Sequence, residues 1–184
     1  MNNFIFYSPT EFVFGRDTEA QTGVLVQKYG ARKVMIVYGG GSVIRSGLLA
    51  RVEKSLQETG IPYCMLGGVQ PNPIDTKVYE GINLCRKENV DMMLAVGGGS
   101  VIDTAKAIAH GVANPEATLE EIWDGKIALK KSLPVGVVLT LAAAGSEMSN
   151  SSVLTNERTG KKKGLGTDLN RPRFAIMNLS LIHI

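Results

Sequence analysis

Short apolar runs alternate along this chain with segments of helical period. The runs at 33–38, 61–66 and 91–96 are nearly all apolar, which is typical of parallel strands covered by helices on both faces. Between them, residues 47–59 and the segment that begins at Asp75 repeat apolar residues at helical spacing. This order of elements predicts an α/β fold, a Rossmann-like parallel sheet with flanking helices.

The pattern is less regular after residue 113. It predicts, in chain order, a short helix at 117–123, a buried strand at 135–139, a turn at 142–145, a hairpin formed by 152–156 and 163–165, and a last strand at 174–177. Near the start, residues 11–15 are predicted to form an edge strand. We therefore expect one sheet with a hairpin attached to it.

The sequence Gly97-Gly98-Gly99-Ser100 joins the apolar run 91–96 to a segment of helical period. Phosphate approaches a backbone closely only where side chains are absent, and the first turn of a helix offers unpaired N–H groups and a positive dipole end. Glycine turns end many strands, so the run alone is a weak signal. Its place between a strand and a helix predicts a site for the diphosphate of a nicotinamide dinucleotide.

Asp103 follows this turn closely and allows two interpretations. It is a capping acid on the first turn of the helix, or it faces the nicotinamide side of the cofactor or the substrate cleft.

A second glycine run, Gly39-Gly40-Gly41-Ser42, follows the strand predicted at 33–38. NAD-selective sites usually place a carboxylate near this strand end to hold the ribose 2′-hydroxyl, and none is present here. Arg45 is either an ordinary surface residue or a charge partner for a 2′-phosphate. The run therefore favours NADP as the cofactor, with NAD as the alternative.

The composition is that of an ordinary globular protein. The chain has 184 residues, 44% of them hydrophobic and 20% charged, and a formal net charge of +3, which does not favour a nucleic-acid partner. Cys64 and Cys85 lack metal-ligand spacing and are expected to be buried thiols. No apolar run approaches the roughly 18 residues of a membrane span, so we expect a cytoplasmic protein with no membrane partner.

Several motifs in order resemble the N-terminal half of the iron-containing alcohol dehydrogenases, especially the butanol dehydrogenase-like branch. They are FVFG at 12–15, PNP at 71–73, AVGGGSVIDTAK at 95–106, Leu139-Thr140 with Gly145-Ser146-Glu147, and FAIMN at 174–178. The resemblance spans residues 4–178. It implies a dehydroquinate synthase-like N-terminal domain.

The resemblance also implies roles for residues outside the glycine runs. Asn72 would lie near the adenine ribose, Thr140 and Leu141 would flank the cofactor, and Lys162 would contact the nicotinamide ribose. Each polar residue has a simpler interpretation: Asn72 as a turn residue between prolines, Thr140 as a strand-end hydroxyl, and Lys162 as a solvated lysine.

The reaction implied by the resemblance is reversible hydride transfer between NAD(P)H and a primary alcohol or aldehyde. In the family a divalent metal, iron, polarises the carbonyl oxygen, and one Asp and three His of a helical C-terminal domain hold it. We expect that domain, and with it the metal ligands and the catalytic residues, to be absent from this chain. His110 is predicted to lie at the surface or at a helix end. His183 is far from it in sequence, and two such distant histidines cannot be assumed to form a catalytic site. A homodimer is compatible with the resemblance.

The sequence departs from the family pattern after Asn178. We expect residues 1–178 to be a dinucleotide-binding domain and residues 179–184 to be a short tail, so that the chain is an N-terminal fragment of a longer enzyme. Two alternatives stay open: a fragment of a glycerol dehydrogenase-like or dehydroquinate synthase-like enzyme, and a non-catalytic dinucleotide-binding module.

Overall fold

Six strands form the central sheet of the computed structural model, which describes residues 7–182. The strands are β1 (Glu11–Gly15), β2 (Val34–Tyr38), β3 (Tyr63–Leu66), β4 (Met92–Gly97), β5 (Val135–Leu139) and, after a hairpin, β8 (Phe174–Asn178). Their order in the sheet is β1-β8-β5-β4-β2-β3, and every neighbouring pair is parallel. The predicted parallel α/β fold is confirmed.

Helices cover both faces of this sheet. They are α1 (Thr22–Lys28), α2 (Ser42–Arg45), α3 (Leu48–Glu58), α4 (Asp75–Glu88), α5 (Gly99–Ala113), α6 (Leu119–Trp123) and α7 (Leu179–Ile182), with short 3₁₀ turns at Thr18–Gln21 and Asp168–Asn170. The apolar residues of α4 and α5 pack against one face of the sheet, and those of α1 and α3 pack against the other. Strands β2, β4 and β5 are therefore buried on both faces, which explains their continuous apolar sequences. Within residues 7–182, no helix combines the length and apolarity that a bilayer span needs.

The chain reverses its direction of travel across the sheet at β2. It passes from β2 to β3 on one side and then returns to place β4 on the other side of β2. The crossover helices leave the ends of β2 and β4 in opposite directions, and ligands of open α/β sheets bind in the crevice that this creates. Both predicted glycine runs, 39–41 and 97–99, lie at this edge.

The predicted hairpin is present as a separate two-stranded antiparallel sheet. Its strands are β6 (Ser151–Thr155) and β7 (Lys162–Gly166), paired from Ser151 with Gly166 to Thr155 with Lys162. β6 packs on α5, so the hairpin lies beside the helix that follows the second glycine turn.

Helix α1 was not predicted, and a close approach to α3 explains its position. A Cβ atom on Gly23 would lie 2.3 Å from the backbone oxygen of Ser55. The amide of Gly23 donates to Ser55 Oγ at 3.0 Å, and that hydroxyl donates to the carbonyl of Ala20 at 2.7 Å. The two helices are therefore in contact through backbone at this point, where no side chain can move aside.

We expect Gly23→Ala to separate these helices and to lower the free energy of unfolding by about 1–3 kcal/mol, as overpacking of a core does. Chemical denaturation would measure the change. Gly164→Ala is the matched control, because a Cβ at Gly164 meets nothing within 4 Å. Equal stability of the two variants would contradict the backbone contact.

Candidate functional site

The second glycine turn connects β4 to α5 at the sheet edge described above. β4 ends at Gly97, Gly98 is extended with φ −95° and ψ −166°, and α5 begins at Gly99. The amides of Val101 and Ile102 donate to the carbonyl of Gly98. The amides of Gly99 and Ser100 belong to the first turn, where no helical carbonyl precedes them, so they are suited to an anion.

The three glycines of this turn have different steric surroundings. A Cβ on Gly97 would lie 2.6 Å from the side chain of Val101, so Gly97 is required for the turn to pack on α5. A Cβ on Gly98 would come no closer than 3.8 Å to Leu141, and one on Gly99 no closer than 3.5 Å to Ser146. Neither Cβ would clash, and Gly98 and Gly99 are partly exposed whereas Gly97 is buried; we call the accessible backbone of Gly98 and Gly99 the open surface.

Hydrogen bonds join three separate segments beside this turn. The Ser100 hydroxyl accepts from the amide of Asn72 at 3.2 Å, and Lys162 Nζ donates to Asn72 Oδ1 at 2.7 Å. Asn72 has a left-handed backbone with φ 63°, as its turn interpretation requires. The structure therefore brings Asn72, Ser100 and Lys162 together, and Lys162 is more than an isolated solvated lysine.

The segment after β5 borders the same turn. The amide of Thr140 donates to the carbonyl of Gly97 at 3.1 Å. Leu141 is 54% exposed and is the nearest neighbour to the position of a Gly98 Cβ. Both residues adjoin the open surface.

The first glycine run lies at the neighbouring strand end. The carbonyl of Gly39 accepts from the amide of Gly68 at 3.2 Å, which ties this turn to the loop before Asn72. A Cβ on Gly40 meets nothing within 4 Å, and the Arg45 guanidinium lies directly over Gly41. Arg45, the last residue of α2, is thereby placed beside the turn.

Asp103 does not cap α5, so that interpretation was wrong. It lies on the second turn, four residues after the helix begins, and no side chain caps this helix. Asp103 is only 8% exposed, and its Oδ2 accepts from the amide of Val153 on β6 at 3.0 Å. Burial raises the pKa of Asp103, while the Val153 amide and the charge of Lys106 oppose that rise. The side chain is enclosed between α5 and the hairpin.

His110 was predicted to lie at the surface or at a helix end; it does lie in the last turn of α5, but the surface position was wrong. His110 is fully buried, with Nε2 2.8 Å from Asn170 Oδ1. Both protons of the Asn170 amide are used on the carbonyls of Asn150 and Leu165, so Asn170 Oδ1 accepts and His110 Nε2 donates. Burial lowers the pKa of His110, so the ring is neutral near pH 7. Its spacing of four residues from Lys106 and seven from Asp103 was the signal in the sequence that could have placed it on one helical face with them.

Within residues 7–182 no group of three or more His, Cys, Asp or Glu side chains is placed to hold a metal ion. Cys85 is buried, with Sγ 3.8 Å from the sulfurs of both Met35 and Met93, as expected for a core thiol. Cys64 is only partly buried. The described side chains therefore do not fit a metal centre.

Comparison with known proteins gives consistent results. The sequence profile described as "Iron-containing alcohol dehydrogenase" matches residues 9–179. The chain is 45% identical to the "Probable NADH-dependent butanol dehydrogenase 2" of Bacillus subtilis over 97% of this chain and 45% of that protein. It is 36% identical to the "NADPH-dependent aldehyde reductase YqhD" of Escherichia coli over 97% of this chain and 46% of that protein.

A solved structure shows the same fold. The crystal structure of NADH-dependent butanol dehydrogenase A from Thermotoga maritima superposes with a TM-score of 0.94 at 41% identity, covering 98% of this chain and 45% of that one. The chain thus spans about half the length of the relatives it matches, and the matched half is the N-terminal one. On the profile match and these identities, the chain belongs to the iron-containing alcohol dehydrogenase family.

Proposed function

We propose that this chain supplies the NAD(P)-binding part of an alcohol dehydrogenase that interconverts primary alcohols and aldehydes. The observation that carries the proposal is the open backbone surface over Gly98 and Gly99, at the start of a 15-residue helix and at the point where the sheet order reverses. Family members are named as alcohol dehydrogenases and aldehyde reductases, which supports the substrate class.

The described residues suit a dinucleotide. The first-turn amides of Gly99 and Ser100 would bind the diphosphate, and the Lys162 ammonium, held by Asn72, would add a positive charge beside it. Thr140 and Leu141 would border the cofactor on the β5 side, and Gly39, Gly40 and Ser42 would lie at its adenosine end. Asp103 would support the site indirectly, because its carboxylate holds β6 through the amide of Val153. When bound, the nicotinamide ring supplies the hydride donor or acceptor.

The roles of the two halves of the longer relatives follow from this assignment. The present chain binds and orients the dinucleotide, and the groups that act on the alcohol lie outside the described residues. We propose residues 1–178 as the dinucleotide-binding unit, a cytoplasmic location, and a homodimer as its assembly.

We expect Gly98→Val to weaken dinucleotide binding while the domain stays folded. The Cβ of the valine would lie at ordinary contact distance, 3.8 Å, from Leu141, and its side chain would occupy the surface proposed for the diphosphate. The dissociation constant for NADH or NADPH should rise at least about tenfold, which is about 1.4 kcal/mol. Nicotinamide fluorescence would measure it.

Gly166→Ala is the control for this substitution, because a Cβ there meets nothing within 4 Å and Gly166 lies on β7, away from the glycine turn. It should bind as the unaltered chain does. Unchanged binding by Gly98→Val would exclude the Gly98–Gly99 surface as the diphosphate site.

A second prediction concerns the choice of cofactor, for which we propose NADP over NAD. Relatives named for either cofactor occur, so the argument depends on this chain's own residues: no carboxylate stands at 39–42, and Arg45 lies beside the turn. Gly40→Asp would place a negative charge where a 2′-phosphate is proposed to bind. We expect it to weaken NADPH binding about tenfold or more and to leave NADH binding within a few-fold.

Gly40→Asn is the matched control, since it has the same shape without the charge. If Asn and Asp weaken NADPH equally, the effect is steric. If neither variant changes the ratio of the two affinities, the assignment of this turn to the adenosine end is wrong.

A further inference from the structure

Three buried polar side chains form a stripe along one side of α5. They are Asp103, Lys106 and His110, all under 10% exposed and spaced three and four residues apart. Each faces the segment between β5 and β8 rather than the sheet. We call Asp103, Lys106 and His110 the polar stripe.

Lys106 is the largest fully buried side chain among the described residues and has no exposed surface. Its Nζ donates to the carbonyls of Ser146, Ser149 and Ser151 at 2.8, 3.2 and 2.9 Å. An ammonium group has three donors, and here three carbonyls accept from them. A buried charge without partners is strongly destabilising. Movement of these carbonyls away from the ammonium is therefore unfavourable while the lysine remains charged.

Two of these carbonyls, those of Ser146 and Ser149, belong to a loop that borders the glycine turn, and the third, that of Ser151, lies at the start of β6. Residues 140–150, which we call the β5–β6 loop, carry Leu141 near the position of a Gly98 Cβ. The same loop places Ser146 Oγ at 3.5 Å and Ala144 Cβ at 3.7 Å from the position of a Gly99 Cβ. The wall of the open surface is therefore a loop whose position is fixed by hydrogen bonds to Lys106.

The rest of the polar stripe holds the adjoining hairpin. Asp103 accepts from the Val153 amide, and its own carbonyl accepts from the Ser152 hydroxyl at 3.2 Å. His110 holds Asn170, which donates to carbonyls on either side of the hairpin. This hairpin carries Lys162, so the stripe supports both the loop and the cation beside the site.

We propose that Lys106 is a positioning residue of the dinucleotide site, whose ammonium fixes the β5–β6 loop against the Gly98–Gly99 turn. The proposal rests on the function proposed above. Lys106 does not touch the ligand, since it is buried beneath the loop. Its effect on binding is transmitted by the position of that loop.

The charge of Lys106 gives the proposal a second consequence. Burial lowers the pKa of Lys106 to about 8, with Asp103 and Glu147 opposing and Arg171 adding to the decrease; His110, one turn away, is neutral. A deprotonated amine has two N–H groups for three carbonyls, so the loop loosens and dinucleotide affinity should fall as the pH rises through about 8.

Global stability should respond to the same group in the opposite direction. A lysine in the unfolded chain keeps its proton up to about pH 10.4, so between the folded and unfolded pKa values the unfolded state binds more protons. Stability from this group therefore rises with pH in that window. Affinity that falls while stability rises distinguishes loop positioning from general loosening of the fold.

The experiment measures NADH and NADPH dissociation constants and unfolding midpoints at pH 7 and pH 9 for the unaltered chain, Lys106→Met and Lys106→Arg. Lys54→Met, an exposed lysine on α3, is the control. We expect the unaltered chain and Lys54→Met to lose about tenfold in affinity at pH 9. Lys106→Arg should bind equally at both pH values because arginine stays protonated, and Lys106→Met should bind weakly at both.

A flat affinity between pH 7 and pH 9 in the unaltered chain would overturn the proposal. So would the same decrease in Lys106→Arg, or normal binding by a folded Lys106→Met. If Lys106→Met does not fold, the pH dependence of affinity in the unaltered chain and in Lys106→Arg still tests the proposal.

Trp123 keeps this test separate from the test of the proposed function. It is the single tryptophan of the chain, it is buried, and its indole donates to the carbonyl of Ser152 at 3.3 Å. Its emission reports the attachment of β6 without any ligand. If the unaltered chain binds neither cofactor, the proposed function fails. The positioning role of Lys106 is then tested by the emission of Trp123. We expect this emission to shift in Lys106→Met, and to shift between pH 7 and pH 9 in the unaltered chain. If neither shift is seen, the positioning role of Lys106 is overturned.

Discussion

The burial of α5 is the constraint on which the rest of the structure depends. Every residue of this helix from Val101 to Gly111 is buried. A helix that is buried all round is usually apolar all round, yet this one carries Asp103, Lys106 and His110. One side packs against β4 and α4 by apolar contact, and the other holds the β5–β6 loop and the hairpin by hydrogen bonds. The helix therefore links the sheet to every segment that surrounds its own N-terminus.

This arrangement explains why the open surface over the glycine turn has defined walls. The amides of a helix N-terminus attract anions wherever they are exposed, but they select a ligand only if neighbouring groups are held in place. Here Asn72 comes from the loop before α4, Lys162 comes from β7, and Leu141 comes from the β5–β6 loop. The Asn72–Ser100 and Asn72–Lys162 hydrogen bonds close one side, and the carbonyl contacts of Lys106 fix the other.

The sequence was sufficient to predict what depends on local pattern. The runs at 33–38, 91–96 and 135–139 were recognisable as strands because both of their faces are buried, and the glycine turns follow from the strand ends. The signal was weaker for α1, a seven-residue helix with glycine in its first turn. The sequence did not predict the burial of His110, which depends on Asn170, sixty residues away. Nor did it predict the partner of Asp103, which is the amide of Val153. Such long-range polar pairing has no periodic signature, although the shared helical face of residues 103, 106 and 110 was visible in the spacing.

Binding of a nicotinamide dinucleotide's diphosphate by the Gly98–Ser100 backbone can be measured by backbone amide NMR during an NADPH titration. A chain of 19.7 kDa is small enough for its amides to be followed individually. The account predicts saturable shifts that are largest at the amides of Gly98, Gly99 and Ser100. Saturable shifts confined to another part of the molecule, or no shifts in a folded chain, would contradict it.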